Sequence, residues 1–211
     1  MRPYVYSASP VTSLTTGFAT NVTGATWTLT NTATNDSLGH LVTILNNSAT
    51  DHSAKTAVIT GTDVDGHSQT ETVNLPAGSA TVTGTKYFKT VTTIVPSATI
   101  GADTMNLGWG AVSVTPSFVL DRFANVGATI MTDISGTINF TGEETFNPMQ
   151  SQTAFPSNNN TWFTMSGLSA KTADTVSSCT LGAVGVRIKT NSVTNGATLS
   201  IVINQPTFVT Q

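Results

Sequence analysis

Ala57-Val-Ile-Thr-Gly-Thr62, Asp63-Val64-Asp65-Gly66 and His67-Ser-Gln-Thr-Glu-Thr-Val-Asn-Leu75 form the stretch that decides the fold class. Two short runs rich in β-branched residues flank an Asp-Gly pair, the strongest short-range signal for a hairpin; a type I′ turn is expected here, with both central residues at φ > 0. Pro76-Ala77-Gly78 then breaks the ladder, because proline has no N–H to donate and glycine tolerates any φ. Beyond it come Ala80-Thr-Val-Thr83, Lys86-Tyr-Phe-Lys-Thr-Val-Thr-Thr-Ile-Val95 and Thr104-Met-Asn-Leu-Gly-Trp109. Met105, Leu107 and Trp109 alternate with small or polar residues, which places three large side chains on one face of a strand. The segment reads as an antiparallel meander.

Composition extends that reading to the whole chain. Charged residues make up 9% of the 211 positions, against roughly 25% in an average soluble domain. About one residue in five is threonine, a strand former. Helix formers never accumulate at 3.6-residue spacing over three turns, so the expected class is all-β. Hydrophobic content of 38% and a net charge of −3 describe a folded chain, not a disordered one. With 8 Lys+Arg against 11 Asp+Glu there is no basic field for phosphates, and no nucleic-acid partner is expected. A single cysteine, Cys179, excludes an internal disulfide. The first residues lack the apolar core of a signal peptide and no window spans a membrane, so synthesis and folding in the cytoplasm are expected.

Outward from the central stretch, residues 1–20 hold Pro3 and Pro10 and read as an extended arm. Gly24-Ala-Thr-Trp-Thr-Leu-Thr30 alternates Trp27 and Leu29 with threonines, and Leu41–Leu45 is a short buried strand. These complete a first domain, residues 21–112. A run ending in Pro116 marks the joint, and residues 113–211 form a second domain with strands at 117–121, 127–132 and 134–140. A long polar loop is expected from Thr141 to Thr161. Val184, Val186 and Ile188, then Leu199, Ile201 and Ile203, alternate around Asn195-Gly196 and predict a closing hairpin with one dry face. No repeat of fixed period is found.

The residues that could carry chemistry have simpler readings. Asp63-x-Asp65-Gly66 opens like a calcium loop but lacks the later ligands and the flanking helices, so turn geometry explains it. His40, His52 and His67 show no metal-ligand spacing. Serines and threonines abound without a G-x-S-x-G elbow, which argues against a hydrolase. Glu143-Glu144 is an adjacent carboxylate pair; strand neighbours point to opposite faces, whereas a glycosidase needs its pair across a cleft. Trp27, Trp109 and Trp162 could stack on sugars, but alternation with Thr or Gly points to core. Cys179 has no neighbouring base and reads as a small buried residue. The Asn-x-Ser/Thr sites at Asn21, Asn35, Asn46, Asn139 and Asn159 follow from composition. No catalytic, cofactor or metal site is expected.

One resemblance emerges from these residues. Gly61-Thr-Asp-Val-Asp-Gly-His-Ser-Gln-Thr-Glu-Thr-Val-Asn-Leu-Pro76, then Gly84-Thr-Lys-Tyr-Phe-Lys-Thr-Val-Thr-Thr-Ile94 and Gly-Trp-Gly at 108–110, resembles small virion structural proteins of tailed bacteriophages. Trp162-Phe163, with Gly185-Val-Arg-Ile-Lys189 and Ile201-Val-Ile203, is similar to the second half of such proteins. The resemblance spans residues 60–205 and rests on pattern. It implies a non-enzymatic subunit of the particle, as a capsid decoration protein or as a head–tail or tail component. The implied partners are copies of itself and other virion proteins, with no membrane and no cofactor.

Scarcity of charge supports the same expectation from physics, since lone β-proteins guard their sheet edges with charge or proline. The resulting expectation is two small antiparallel β-sandwich domains, jelly-roll or immunoglobulin-like, with residues 1–20 reaching to a neighbour. A glycan-binding tail module using exposed aromatics is the alternative.

Overall fold

The computed structural model describes residues 3–120, 127–147 and 160–205. The strands in chain order are β1 (Tyr4–Ala8), β2 (Leu14–Val22), β3 (Gly39–Asn46), β4 (Thr56–Thr62), β5 (Ser68–Asn74), β6 (Thr81–Phe88), β7 (Thr90–Pro96) and β8 (Met105–Val114). They continue as β9 (Phe118–Val119), β10 (Thr129–Ser135), β11 (Ile138–Thr145), β12 (Phe163–Thr164), β13 (Thr175–Ser178), β14 (Gly185–Val193) and β15 (Thr198–Asn204). One 3₁₀ turn, Ser166–Leu168, is the sole helical element among the described residues. The protein is all-β, built of several antiparallel sheets. The chain divides into two compact units: residues 13–113, and a split unit of residues 1–12 with 114–211.

In the 13–113 unit, β4 and β5 pair as the expected hairpin, in a register that runs from Thr56 opposite Asn74 to Thr62 opposite Ser68. The turn between them differs from expectation. Only Gly66 has positive φ, at +90°, and the Gly66 N–H donates to the Asp63 carbonyl at 3.2 Å. That is a type I turn closed by a glycine bulge, the usual geometry of a three-residue loop. The Asp63 carboxylate caps it, accepting the N–H groups of Asp65 at 2.9 Å and His67 at 2.8 Å.

The expected meander is not formed. After Pro76-Ala77-Gly78 the chain leaves β5, and β6 pairs with β3. It then returns through Lys89 so that β7 pairs with β4. Two sheets result, one of β5-β4-β7 and one that includes β6-β3-β8 with β2 on β8. Ile59, Val91, Ile94, Val42, Ile44, Phe88, Met105 and Leu107 are all buried. Gly17 in β2 is required by close approach, because a Cβ there would sit 2.0 Å from the Trp109 ring. Gly24–Thr30, expected as a strand, lies in an irregular segment whose Thr30 and Asn31 N–H groups donate to the Phe18 carbonyl.

In the split unit one sheet runs β1-β15-β10-β13, and β11 pairs with β14 and β12. The expected closing hairpin is an arch: β14 and β15 do not pair with each other, β15 lying between β1 and β10. β10 and β11 form a second arch beside it, tied where the Thr194 N–H donates to the Thr137 carbonyl at 3.0 Å. Each arch contributes a strand to each sheet, so Ile130, Leu199 and Ile201 face Phe140, Val186 and Ile188 in one buried cluster. Each such side chain contributes about 1.5–3 kcal/mol by leaving water. Tyr4–Ala8, expected within a free arm, is a strand of this sheet, held by β15 on its backbone and by Tyr4 and Tyr6 against the Phe118 ring. The strand β13 has no counterpart in the sequence reading. Most of the expected loop Thr141–Thr161 lies outside the described residues, although residues 141–145 belong to β11.

Candidate functional site

The carboxylates, the cysteine and the histidines singled out by their chemistry have partners within the chain. Glu143 and Glu144 lie on β11, both buried, and their side chains serve different partners. Glu143 receives the Arg187 Nε–H at 2.7 Å and lies 3.1 Å from the Lys189 ammonium. The Arg187 guanidinium also sits 4.2 Å from the Trp162 ring centroid, a cation–π contact. Glu144 accepts the Thr180 backbone N–H at 2.7 Å and the Thr180 hydroxyl. Glu143 thereby ties β11 to β14, and Glu144 ties it to the segment after β13.

Cys179 lies beside them. Burial pushes its thiol above the ordinary range, the Glu144 charge pushes the same way, and the Ala128 N–H donating to its sulfur at 3.1 Å opposes both. A thiol held neutral is a poor nucleophile.

All three histidines belong to the 13–113 unit, and each meets an aspartate. His40 Nε2 lies 2.7 Å from Asp36 Oδ2, and its Nδ1 lies 3.0 Å from the Gly110 carbonyl oxygen. Burial pushes the Asp36 carboxyl up, but bonds from His40, Thr34 and the Leu38 N–H outweigh it and leave it below the usual range. His52 bonds Asp103 at 2.9 Å and Lys55 at 3.1 Å, pinning residues 52–55 to the segment before β8. His67 meets the turn carboxylate of Asp63 at 3.3 Å. Among the described residues no group of three or more His, Cys, Asp or Glu is placed to hold a metal ion, and no helix is long and apolar enough to cross a membrane.

Of the three tryptophans, Trp27 and Trp109 are buried, Trp109 in edge contact with Phe18, and Trp162 is half-buried on Arg187. The exposed aromatic pair is instead Phe146 and Phe163, with ring centroids 5.9 Å apart.

Sheet edges offer a further surface for recognition, through their backbone groups. In the 13–113 unit the edges are occupied. Glu71 of β5 accepts the Thr85 N–H at 2.6 Å and the Lys86 N–H at 3.2 Å from β6, while Gln69 and Lys86 donate to the Tyr87 and Thr70 carbonyls. β7 is bridged by Ala33 opposite Thr90, donates its Val91 N–H to the Thr32 carbonyl, and ends in Pro96. The Phe18 carbonyl of β2 accepts from Thr30 and Asn31. These are ways in which natural sheets blunt their edges.

The strand β13 is different. It closes the β1-β15-β10-β13 sheet with the sequence Thr175-Val-Ser-Ser178, which carries no charge and no proline. Its neighbours on the outer face form a row at one register: Val5 opposite Val202, Val202 opposite Met131, and Met131 opposite Val176. Val5 is 65%, Met131 43% and Val176 64% exposed. Sequence reading missed this site because one outward valine among hydroxyl residues leaves no alternation to detect.

Comparison with known proteins yields no match to any family model, any curated protein or any solved structure.

Proposed function

We propose that the chain is a non-enzymatic structural subunit that works by packing and strand-edge pairing with neighbouring subunits. The observation that carries this reading is the uncharged β13 edge beside an exposed apolar row, on a molecule whose other candidate groups are committed to internal bonds. Such contacts depend little on salt, because few ion pairs are available to be screened. We read each unit as a small antiparallel sandwich, the split unit presenting its β13 edge to the assembly.

The pattern at 60–205 directs the proposal to a tailed-bacteriophage particle, as a capsid decoration subunit first and a head–tail or tail component second. Peptide mass fingerprinting of purified particles tests it, with copy number set against the major shell protein. On the order of hundreds of copies would support a shell role, and about six to twelve a tail ring, following closed symmetric assembly. Absence of the chain from particles whose genome encodes it would end the proposal. A glycan-binding tail module is the second reading, favoured by the exposed Phe146–Phe163 pair. Perturbation of the fluorescence of Trp162, beside Phe163 in the chain, by host polysaccharide would support it.

A further inference from the structure

We infer that β13 is the self-association edge of this protein, and that a second copy pairs with it antiparallel about a two-fold axis at Val176. The inference rests on the structural-subunit reading and names the partner.

The direction of each β13 backbone group follows from two bonds. The Cys179 N–H donates to the Ala128 carbonyl at 3.0 Å, and residues 128 and 179 continue the register in which Thr129 faces Ser178. Directly opposed residues exchange such bonds only at the closely bonded positions of an antiparallel ladder, which recur at every second residue. The Ile134 N–H, bonded to the Asp174 carboxylate at 2.9 Å, falls in the same parity. Residues 175, 177 and 179 therefore turn their backbone groups toward β10. Residues 174, 176 and 178 turn theirs away, to the side on which no described strand pairs with β13, the open side. Val176 and Ser178 are exposed there.

That open side is self-complementary. Placing Val176 opposite its own symmetry mate makes 174 face 178 on both sides of the axis, with each outward N–H meeting an outward carbonyl. Asp174 then lies against Ser178 of the second copy and not against another Asp174, so no like charges meet. The same operation sets Val176 beside Val176 and continues the row Val5–Val202–Met131–Val176 into its mate, joining two four-stranded sheets. The flanking rows hold Ser7, Ser200 and Asp133 on one side and Thr129, Asn204 and Ser178 on the other, a polar rim around an apolar line. Any other register would break the apolar row or bring Asp174 toward its counterpart.

Sedimentation velocity of the full chain over a concentration series tests this. The wild type should dimerise reversibly, with little change between low and high salt. Val176→Lys sets two cations face to face and should weaken the dimer at least about 100-fold, while its melting temperature, read at concentrations where both chains are monomeric, stays at the wild-type value. Val176→Pro removes only an outward N–H and should weaken it also. In a Val176→Cys chain, a short bis-maleimide should link two copies at that residue, since Cys179 is buried. A wild type monomeric at all concentrations, or a dimer indifferent to Val176→Lys, overturns the inference. If the chain is still found in purified particles, the structural-subunit proposal survives that loss; absence from particles removes the proposal itself.

Discussion

The two units treat the same problem, the unpaired backbone at the side of a sheet, in opposite ways. The 13–113 unit fills its edges from within: a carboxylate on β5 stands in for a strand against β6, and a bridge and a proline finish β7. The split unit ends in β13, whose outward amides are bordered by hydroxyls and one valine. The ionisable groups follow the same division of labour. In the first unit they are spent on turns and edges, as with Asp63 and Glu71; in the second, Glu143 and Arg187 lock β11 to β14, and β13 itself carries no charge. A sealed edge resists pairing with another chain, whereas an open edge leaves its backbone groups available for it.

The comparison can be broken most severely at Arg187. Replacing Arg187 with Met leaves Glu143 buried with only Lys189 beside it, and a loss of about 3 kcal/mol is expected in urea unfolding. If the loss is near zero, the pair is not what locks β11 to β14.

Unsealing the first unit should cost somewhat less. Glu71→Ala removes the acceptor for two backbone amides of β6, so about 2–3 kcal/mol should be lost and aggregation should rise. Glu71→Gln keeps an acceptor and should recover part of that. An aggregation rate unchanged in Glu71→Ala would mean the β5–β6 side is not a guarded edge.

Acid sharpens the contrast further. The folded Asp36 carboxyl lies below the usual range, so its contribution is complete above the unfolded value of about 3.9 and fades as pH falls through the folded one. Asp36→Asn should therefore flatten the acid limb of the stability curve for the 13–113 unit. Cys179 acts in the other direction: a raised folded value means its contribution is complete below about pH 8.5 and declines as pH rises through the folded value. Thiol reagents should label Cys179 only as the protein unfolds. The smallest stability effect is expected at the open edge itself, where Val176→Lys should change unfolding free energy by less than about 0.5 kcal/mol.

The local sequence shows where strands run, and the distant sequence decides what they pair with. Met105, Leu107 and Trp109 are buried on β8 as their alternation requires, and the Asp-Gly pair does turn the chain between β4 and β5. Asn195-Gly196 also marks a turn, but a turn signal is the same whether the next strand lies alongside or swings into the facing sheet. Leu199 and Ile201 settle that only by meeting Phe140 and Val186 across the core. Glu143 and Glu144 fall within the loop expected at Thr141–Thr161 because the partners that bury them lie 44 and 36 residues away. The arm at residues 1–20 looked too polar to fold, yet Tyr4 and Tyr6 need only Phe118 and the open side of β15 to hold a strand. Scarcity of charge, taken as a sign of burial by sister molecules, has a second cause: much of the charge that exists is spent inside the chain.

Amide hydrogen exchange read at single residues, in dilute chain and in assembled material, tests the difference between the sealed and open edges most directly. Thr85 and Lys86 should be protected in both, while Val176 and Ser178 should exchange freely in the dilute chain and slow by orders of magnitude on assembly. Protection of Val176 and Ser178 in the dilute monomer, or free exchange at those two amides after assembly, would contradict the account.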